Sequence, residues 1–518
     1  MSSTSANNKR IAKNAMALYF RMIVMLLVEL YTSRVILNAL GVIDYGIYNV
    51  VGGFVAMFSL VSSSVVSSVG RSLTFELGTG DVDKLKRTFS TSIYVLIGLC
   101  LILLVLFEVG GVWYLNNKMV LPAERFHAAS WCFQLSVLTF LLGLLNAPYS
   151  ASVISHERMD VYAYMSIIDA VLKLLICYAI ICSTGDRLIT YAILLCVVGI
   201  LNQIVYVVFC RKRFVECRIS WVFDKKLFKE MFSFAGWNFI GCSAATLRIQ
   251  GATLLLNWAG GPAVNAANGI ANRVCNSVNG FVANFTQAFN PQITKQYAAG
   301  EYESLMKLLI YGSKYSYYLL LLLGLPVMFN AHFILELWLG IVPEHTVPFV
   351  RWTIVFMLAE AVSRPIITAK NATGRIRNYQ IVVGGVLLLM LPLSYAGLKF
   401  GLPVEFVPFC NALTATAAVF MRMYMLRGDF PCWSSAVFFK KVLFNVACVS
   451  VVAAILPCIC YFSIADGWVN FFVTTSACVV STSAAILSIG CSKSERIFIF
   501  SKFREGVSFV KRRVTRKQ

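Results

Sequence analysis

Residues 88–109 read TFSTSIYVLIGLCLILLVLFEV and contain a single charged side chain, Glu108. A transmembrane helix needs about 20 mostly apolar residues, and in lipid a helix satisfies all of its own backbone hydrogen bonds. We therefore predict an all-α integral membrane protein with about 14 transmembrane helices. The count falls to 13 or 12 if residues 402–425, which begin near Pro403, are re-entrant. The other thirteen predicted helices span residues 14–38, 45–69, 127–149, 159–182, 188–210, 230–257, 263–290, 308–331, 347–369, 379–398, 402–425, 438–462 and 468–490.

The positive charges are distributed unevenly between the loops. Of 45 Lys and Arg, 33 lie near the two termini or around the loops after even-numbered helices. The opposite loops contain only Lys118, Arg125, Arg187 and Lys399. This positive-inside pattern predicts that both termini are cytoplasmic and that the number of helices is even. It accounts for the net charge of +21 without nucleic acid. A surface that binds a partner remains an alternative only for the basic tail.

The composition shows no pattern of a catalytic, metal or cofactor site. Most of the 16 Cys lie in predicted helices, where Cys behaves as a small apolar residue, and Cys458 and Cys460 form the closest pair. The four His lie at helix ends or in loops. A polar segment, residues 1–14, leads into the first predicted helix without a small-residue cleavage site, so we expect no cleavable signal peptide.

The second half of the chain repeats features of the first half. A shift of 220 residues places Gly41 on Gly261, and a shift of 217 places Pro148 on Pro365. Each repeat holds six helices, an even number, so the copies share one orientation about an axis along the membrane normal. We predict two parallel six-helix lobes plus two C-terminal helices. The divisions are an N-lobe at 1–210, a basic cytoplasmic linker at 211–229, a C-lobe at 230–426, helices 13 and 14 at 427–490, and a basic cytoplasmic tail at 491–518.

Eight short motifs, spread over the chain to about residue 490, carry a family resemblance. They are YTSRVILNALG at Tyr31–Gly41, DYG at Asp44–Gly46, RSLTFELGTG at Arg71–Gly80, ISHERMD at Ile154–Asp160, SFAGWNFIG at Ser233–Gly241, NAANGIAN at Asn265–Asn272, NPQITKQY at Asn290–Tyr297 and ATGRIRNY at Ala372–Tyr379. In these motifs the chain resembles the multidrug/oligosaccharidyl-lipid/polysaccharide (MOP) exporter superfamily, and within it the Wzx-like oligosaccharide flippases of bacterial lipopolysaccharide and capsule synthesis.

The resemblance implies a carrier, not an enzyme, in the bacterial cytoplasmic (inner) membrane. Its cargo would be an undecaprenyl-pyrophosphate-linked oligosaccharide, an O-antigen or capsule repeat unit, which crosses the membrane by alternating access of two lobes. Its partners would be membrane lipids, a coupling ion (proton or sodium) and other polysaccharide-assembly proteins.

Two other functions remain open. A small-molecule or drug antiporter of the same superfamily would have a carboxylate-centred site in one lobe. A membrane enzyme, such as a polysaccharide polymerase, glycosyltransferase or acyltransferase, usually needs a large outer loop or an intramembrane pair of catalytic His or Asp residues. The mostly positive unpaired charges and the short outer loops favour the flippase.

Charged residues inside the predicted helices are the candidate site residues, because a charge at a helix centre costs roughly 2.5–3.5 kcal/mol on insertion scales. Asp169 and Lys173 are four residues apart and are expected to pair on one helix, as are Glu360 and Arg364. Four cations have no such partner: Arg21, Arg248, Arg273 and Lys314.

These cations are expected to face a central cleft rather than lipid, together with Arg34. Given the resemblance, the cleft would bind the pyrophosphate group, because the planar Arg side chain matches phosphate oxygens in a bidentate way. Glu29 is expected to hold Arg21 or Arg34 in place or to carry a coupling ion. Asp169 and Glu360 are further candidates for a coupling or structural role.

Overall fold

The computed structural model describes residues 2–117, 123–183, 185–218, 224–464, 467–492 and 495–497, and the description below is restricted to them. The described chain is helical and contains no strand. Its α-helices are α1 Ser2–Ala56, α2 Ser59–Thr79, α3 Val82–Leu106, α4 Val112–Asn117, α5 Phe126–Ser155, α6 Met159–Ile181, α7 Arg187–Arg213, α8 Lys225–Ala298, α9 Tyr302–Phe329, α10 Ala331–Leu339, α11 Thr346–Ala372, α12 Arg377–Leu388, α13 Met390–Lys399, α14 Phe406–Met425, α15 Ser435–Phe438, α16 Asn445–Ser463 and α17 Trp468–Ala485.

Eleven of these helical segments are long and apolar enough to cross a membrane, and a twelfth is formed if the bent pair Gly46–Val55 and Ser59–Thr79 is one span. All fourteen predicted segments fall on helices, but the count of fourteen spans is not reached. The first part of α1 has only a short apolar stretch, Met16–Met25. The second part of α8 carries seven Asn between residues 265 and 290, which lower its hydropathy. Helix α14 is long enough to span.

Glycine breaks divide the two longest helices at matching places. Gly41 in α1 and Gly261 in α8 both have positive φ, 78° and 72°, with extended ψ. Only glycine adopts this conformation without strain. The predicted shift of 220 residues relates this pair, and it also relates Gly80 to Gly300, with φ of 79° and 73°. These two pairs of glycines agree with the predicted shift, and the repeat of whole lobes stays a prediction.

The chain folds into two compact units. Unit 1 contains the residues up to Leu247 together with Asn284–Leu305 and Ile367–Gly385. Unit 2 contains Arg248–Ala283, Met306–Ile366 and the described residues from Val386 onward. Unit 1 thus includes short segments from the second half of the sequence as well as all of the predicted N-lobe.

Each unit has its own packed interior. In unit 1, Phe107 is fully buried and its ring contacts the rings of Phe58 and Phe140 edge-on, at centroid distances of 4.6 and 5.8 Å. Such aromatic pairs contribute about 0.5–1.5 kcal/mol beyond area burial. In unit 2, the Ser313 hydroxyl on α9 donates to the Val362 carbonyl on α11 at 2.8 Å. The hydrogen bond satisfies two polar groups inside unit 2, and both kinds of contact hold neighbouring helices together.

A charged cluster joins three elements of unit 1 at the end of the helices that the charge pattern predicts to be outside. Arg125 Nε donates to Asp44 Oδ1 at 2.8 Å, and Arg125 Nη1 lies 2.6 Å from Asp186 Oδ2. Asp186 also caps α7 by accepting from the Leu188 amide. Burial raises the pKa of the Asp186 carboxyl, but the bonds from Arg125 and the backbone outweigh burial and hold its pKa below the ordinary value.

Arg125→Ala is expected to lower the thermal unfolding midpoint of the purified protein by several degrees, because it leaves two carboxylates without their shared donor. The folded pKa of Asp186 lies below its unfolded value of about 3.9. The stabilisation that the ionised Asp186 contributes is therefore present above pH 4 and disappears as the pH falls further. The difference in unfolding midpoint between wild type and Arg125→Ala should shrink in acid. The exposed Arg213→Ala, at the other end of α7, serves as the control. Equal midpoints for all three proteins at pH 7 would contradict this role.

The topology predicts opposite sides of the membrane for two sets of helix ends. Alkaline phosphatase fused after Asn117 or Glu344 should be active, because that enzyme folds only outside the cytoplasm. Green fluorescent protein fused after Asp83 or Arg213 should fluoresce. Two fusions with the reverse signal would disprove the predicted orientation.

Candidate functional site

The predicted site residues fall in different surroundings. The side chains of Glu29 and Arg34 lie outside the described part of the structure, so their predicted roles stay predictions. Arg21 is half-buried in unit 1, with its guanidinium 4.8 Å from the centre of the Tyr162 ring. Among the described residues, no hydrogen-bond partner lies at Arg21 Nε. This Nε is itself buried, so it does not by itself offer a donor to an incoming acceptor.

The Asp169–Lys173 pair predicted from spacing is confirmed. Lys173 Nζ lies 2.8 Å from Asp169 Oδ2 on α6, and Asn202 on α7 donates to Asp169 Oδ1 at 2.6 Å. Both oxygens of the carboxylate are therefore occupied. This arrangement favours the structural role for Asp169 over a role in ion coupling.

Lys314 and Arg273 differ in exposure. Lys314 is only 6% exposed, and its ammonium lies 3.5 Å from Glu495, just after the last long helix. The sequence analysis assigned Glu495 to the basic tail, so spacing within a helix did not reveal this partner. Arg273 on α8 is exposed, with only its backbone carbonyl engaged by the Ser277 hydroxyl among the contacts resolved for it. Arg273 is therefore the more accessible of the two cations.

Unit 2 contains a charge cluster, defined here by Arg248, Glu360, Arg364 and Arg422. Arg422 Nη1 lies 2.8 Å from Glu360 Oε1, and Arg364 donates to Asn279 at 2.7 Å. Electrostatic interactions link Glu360 to all three arginines. Residue spacing predicts Arg364 as the partner of Glu360 on the same helix, and the structure adds an ion pair with Arg422 from α14. Three cations thus surround one carboxylate inside the helical bundle.

Arg248 is the member of the charge cluster that faces a cavity. Its side chain donates from Nη1 to Asn411 Oδ1 at 2.6 Å, and its guanidinium lies 4.6 Å from the centre of the Phe356 ring. The cavity has a volume of about 60 Å³. Its polar lining consists of Arg248, Asn268, Asn272, Thr353 and Asn411.

A second polar cluster, which we call the Glu157 cluster, lies in unit 1 at the turn between α5 and α6. The Glu157 side chain is 1% exposed and accepts from Lys295 Nζ at 2.9 Å and from Gln292 Nε2 at 2.8 Å. Asn14 on α1 donates to the Glu157 carbonyl at 3.0 Å. Glu157 has a φ of 58°, a conformation that is uncommon for residues other than glycine. The surrounding contacts hold this strained turn in place.

The Glu157 cluster was not predicted from the sequence. Glu157 lies in the ISHERMD motif and Lys295 in the NPQITKQY motif, which were used only for the family resemblance. The sequence showed only that each of the two motifs contains a charged residue near a predicted loop. Because the two residues are 138 positions apart, their pairing could not be predicted from spacing.

Two further contacts in unit 1 also join segments from opposite halves of the sequence. Arg71 on α2 donates to the carbonyls of Asn371 and Ala372 at the end of α11, at 3.1 and 3.0 Å. A cation is favourable there because the last carbonyls of a helix carry partial negative charge. Gly78 on α2 packs against α8 so closely that an added Cβ would lie 2.8 Å from Lys295 Cα. We call these two contacts and the Glu157 cluster the cross-half contacts.

The fold resembles solved MATE transporters. An outward-facing multidrug resistance MATE family transporter of the MOP superfamily has a TM-score of 0.71 at 11% identity, over 83% of this chain and 96% of that chain. The Vibrio cholerae MATE transporter VcmN in the bent form has a TM-score of 0.68 at 16% identity, over 86% and 99%. A MOP superfamily transporter from Pyrococcus furiosus, for which reverse polarity of the binding pocket suggests a different function, has a TM-score of 0.68 at 11% identity, over 81% and 95%.

No protein-family model and no curated protein sequence matches the chain. The likeness to these solved structures shows that the chain has the fold of the MATE transporters of the MOP superfamily. This fold agrees with the resemblance predicted from the motifs. The flippase branch stays a prediction.

Proposed function

We propose that this chain is a transporter of the bacterial inner membrane. It translocates an undecaprenyl-pyrophosphate-linked oligosaccharide, such as an O-antigen or capsule repeat unit, from the cytoplasmic to the outer leaflet. The observation that carries the proposal is the excess of positive charge within the helices. Arg248, Arg364 and Arg422 interact electrostatically with Glu360 in unit 2, and Arg21 and Arg273 are further cations on α1 and α8.

An anionic cargo accounts for this excess. A guanidinium in the membrane interior is costly unless an anion meets it, and Arg binds phosphate oxygens with two parallel hydrogen bonds. Arg21 in unit 1 and the exposed Arg273 in unit 2 are each candidates to bind a phosphate group, and Arg34 is a further candidate from the sequence. Lys314 is occupied by Glu495. The Pyrococcus furiosus transporter of similar fold, for which reverse polarity of the binding pocket suggests a different function, is consistent with the proposal.

The cross-half contacts support movement by alternating access. They lie where the charge pattern places the cytoplasmic ends of α2, α5, α8 and α11, and they join segments from the predicted N-lobe and C-lobe. For a site between lobes to open toward the cytoplasm, these contacts must separate. We propose that they form the cytoplasmic gate, which closes after the head group has entered.

The second candidate function is a drug or small-molecule antiporter, which the likeness to multidrug MATE transporters favours. Such a carrier needs a carboxylate that is available to a proton or sodium ion. Two of the candidate acids, Asp169 and Glu360, are already paired with Lys173 and Arg422. The flippase therefore agrees better with the described charges, and Glu29 is the acid on which an antiporter would depend.

Arg21→Ala and Arg273→Ala are each expected to reduce surface glycan at least tenfold when they replace the native protein in the source bacterium. The loss of one charge-assisted hydrogen bond accounts for a change of this size. Lysine at position 21 should restore export only partially, because it lacks the planar fork of Arg. Blotting of surface glycan, and of lipid-linked repeat units that accumulate inside, measures the effect.

The control for these variants is the double change Asp169→Asn with Lys173→Gln, which removes a pair of opposite charges and keeps an acceptor for Asn202. It should export normally. Normal glycan export by both alanine variants at native expression would contradict the cationic site. Altered drug susceptibility in the same variants would then support the antiporter.

The gate is tested by Gly78→Ala, with Gly70→Ala on the same helix as a matched control. A Cβ at Gly78 meets the α8 backbone at 2.8 Å, whereas a Cβ at Gly70 lies 4.0 Å from its nearest neighbour, Ala151. Gly78→Ala should therefore separate α2 from α8, increase hydrogen exchange over residues 289–299 and reduce glycan export. Gly70→Ala should change neither. Unchanged exchange in Gly78→Ala would disprove a tight contact at this place.

A further inference from the structure

A second cavity of unit 2 has the size of a small-molecule site. It lies among the ends of α9 and α16, the starts of α11 and α17, and the short helix α10. The charge pattern predicts that these helix ends face the outside of the membrane. The cavity has a volume of about 710 Å³, within the range of about 300–1,000 Å³ that is usual for ligand pockets. It can therefore hold an organic molecule.

Five aromatic side chains line this cavity, which we call the aromatic pocket. The Phe333 ring is stacked on Phe471 at a centroid distance of 4.9 Å and meets Trp468 edge-on at 5.0 Å. Phe329 and Tyr461 form a second pair at 5.9 Å. These rings offer flat apolar faces to a ligand. Trp and Tyr also collect where helices meet the membrane surface, so the aromatic residues alone do not identify the ligand.

Hydrogen bonds between helices hold the walls of the aromatic pocket in place. Asn330, at the start of α10, is buried and donates from Nδ2 to Thr475 Oγ1 on α17 at 3.3 Å. Arg351 on α11 donates from Nε to the Met328 carbonyl on α9 at 3.1 Å. These contacts join four of the helical segments around the pocket. A preformed pocket loses less conformational entropy when a ligand binds.

The charged groups of the aromatic pocket favour a neutral ligand. Among the described lining residues, Glu336 provides one carboxylate and Arg351 one guanidinium, and both side chains are exposed. Only Nε of Arg351 has a hydrogen-bond partner among the described residues, so its terminal nitrogens can donate to a ligand. A phosphate would be repelled by Glu336, and a cation would be repelled by Arg351. A hydroxyl group both donates and accepts, so it suits the carboxylate and the guanidinium equally.

We infer that the aromatic pocket binds one neutral sugar ring. Its apolar face packs on the rings of Phe333 and Trp468, and its hydroxyls donate to Glu336 and accept from Arg351. A sugar is the ligand that combines a flat face of C–H groups with a rim of hydroxyls. The source of the sugar rests on the proposed function, in which a lipid-linked oligosaccharide arrives at the outer side. The aromatic pocket then holds the glycan after it has crossed.

Saturation-transfer NMR on the purified full-length protein tests this inference. The protein is kept in a detergent without sugar groups, and the probe is the mixture of oligosaccharides released by partial acid hydrolysis of the surface glycan of the source bacterium. Saturation should pass to the ring C–H protons of one sugar in the mixture. No transfer to any sugar would overturn the inference. Transfer only to glycerophosphoethanolamine, added as a phospholipid head group, would assign the pocket to membrane lipid and would also overturn it.

A pair of tryptophan variants locates the site. Trp468 and Trp338 are 55% and 54% exposed, but only Trp468 lines the pocket. Trp468→Ala should therefore raise the dissociation constant of the sugar at least tenfold, because it removes a large part of the apolar wall. Trp338→Ala on α10 should leave the dissociation constant unchanged. Equal effects of the two variants would overturn the assignment to this pocket.

Two substitutions at exposed positions decide the inference if Trp468→Ala does not fold. Glu336→Gln keeps an acceptor but removes its charge, and should weaken sugar binding about fivefold, because a charged acceptor makes the stronger hydrogen bond. Arg351→Gln should weaken it by a similar factor. Wild-type affinity in both variants would overturn the inference. This failure is distinct from that of the proposed function, which is measured by glycan export in the Arg21 and Arg273 variants.

Discussion

A charged side chain inside a bilayer needs a partner within its own reach, because lipid offers none. Three of the described charges of this protein meet that constraint in distinct ways. Lys173 pairs with Asp169 on its own helix, and Lys314 pairs with Glu495 after the last long helix. Arg71 uses the backbone carbonyls at the end of α11. The contacts of Lys314 and Arg71 also fix the position of one helix relative to another element, so neutralising these charges contributes to the packing.

The position of a charged contact along the helix decides whether a transport cycle can break it. The Glu157 cluster lies at a turn between two helices, so Glu157 and Lys295 regain hydration when they separate. Glu157 is buried while the contact is closed, so water compensates for the loss of the pair only once both groups are hydrated. The charge cluster of unit 2 lies along the spans of α11 and α14, where separation would leave bare charges. We therefore expect the first set of contacts to exchange during transport and the second to persist.

The parts of the fold that depend on local sequence were predictable. The length of the apolar segments predicted the helices, and the four-residue spacing predicted the Asp169–Lys173 pair. The count of fourteen spans stays a prediction, because the first part of α1 and the Asn-rich second part of α8 are helical but are not apolar enough to be identified as spans by composition. Partners far apart in the sequence, such as Glu157 with Lys295 or Glu360 with Arg422, were not predictable. Periodicity describes which residues share one helix face, and it contains no information about which faces meet.

The internal repeat extends from the backbone to the cross-half contacts. The shift of 217 residues relates Glu157 to Gly374, two turn residues with φ of 58° and 73°. Glu157, in the turn after α5, pairs with Lys295 from α8. The turn of Gly374, after α11, contacts Arg71 from α2. The space there is so small that a Cβ on Gly374 would lie 2.6 Å from the Arg71 guanidinium.

Each turn thus accepts a cation from a helix of the other half. The chemistry has diverged, because a carboxylate accepts in one copy and backbone carbonyls accept in the other. The carboxylate adds a full charge to its contact, while the carbonyls add only partial charges. Two related contacts of unequal strength are therefore expected to separate in a fixed order when the gate opens, first at Arg71 and then at Glu157.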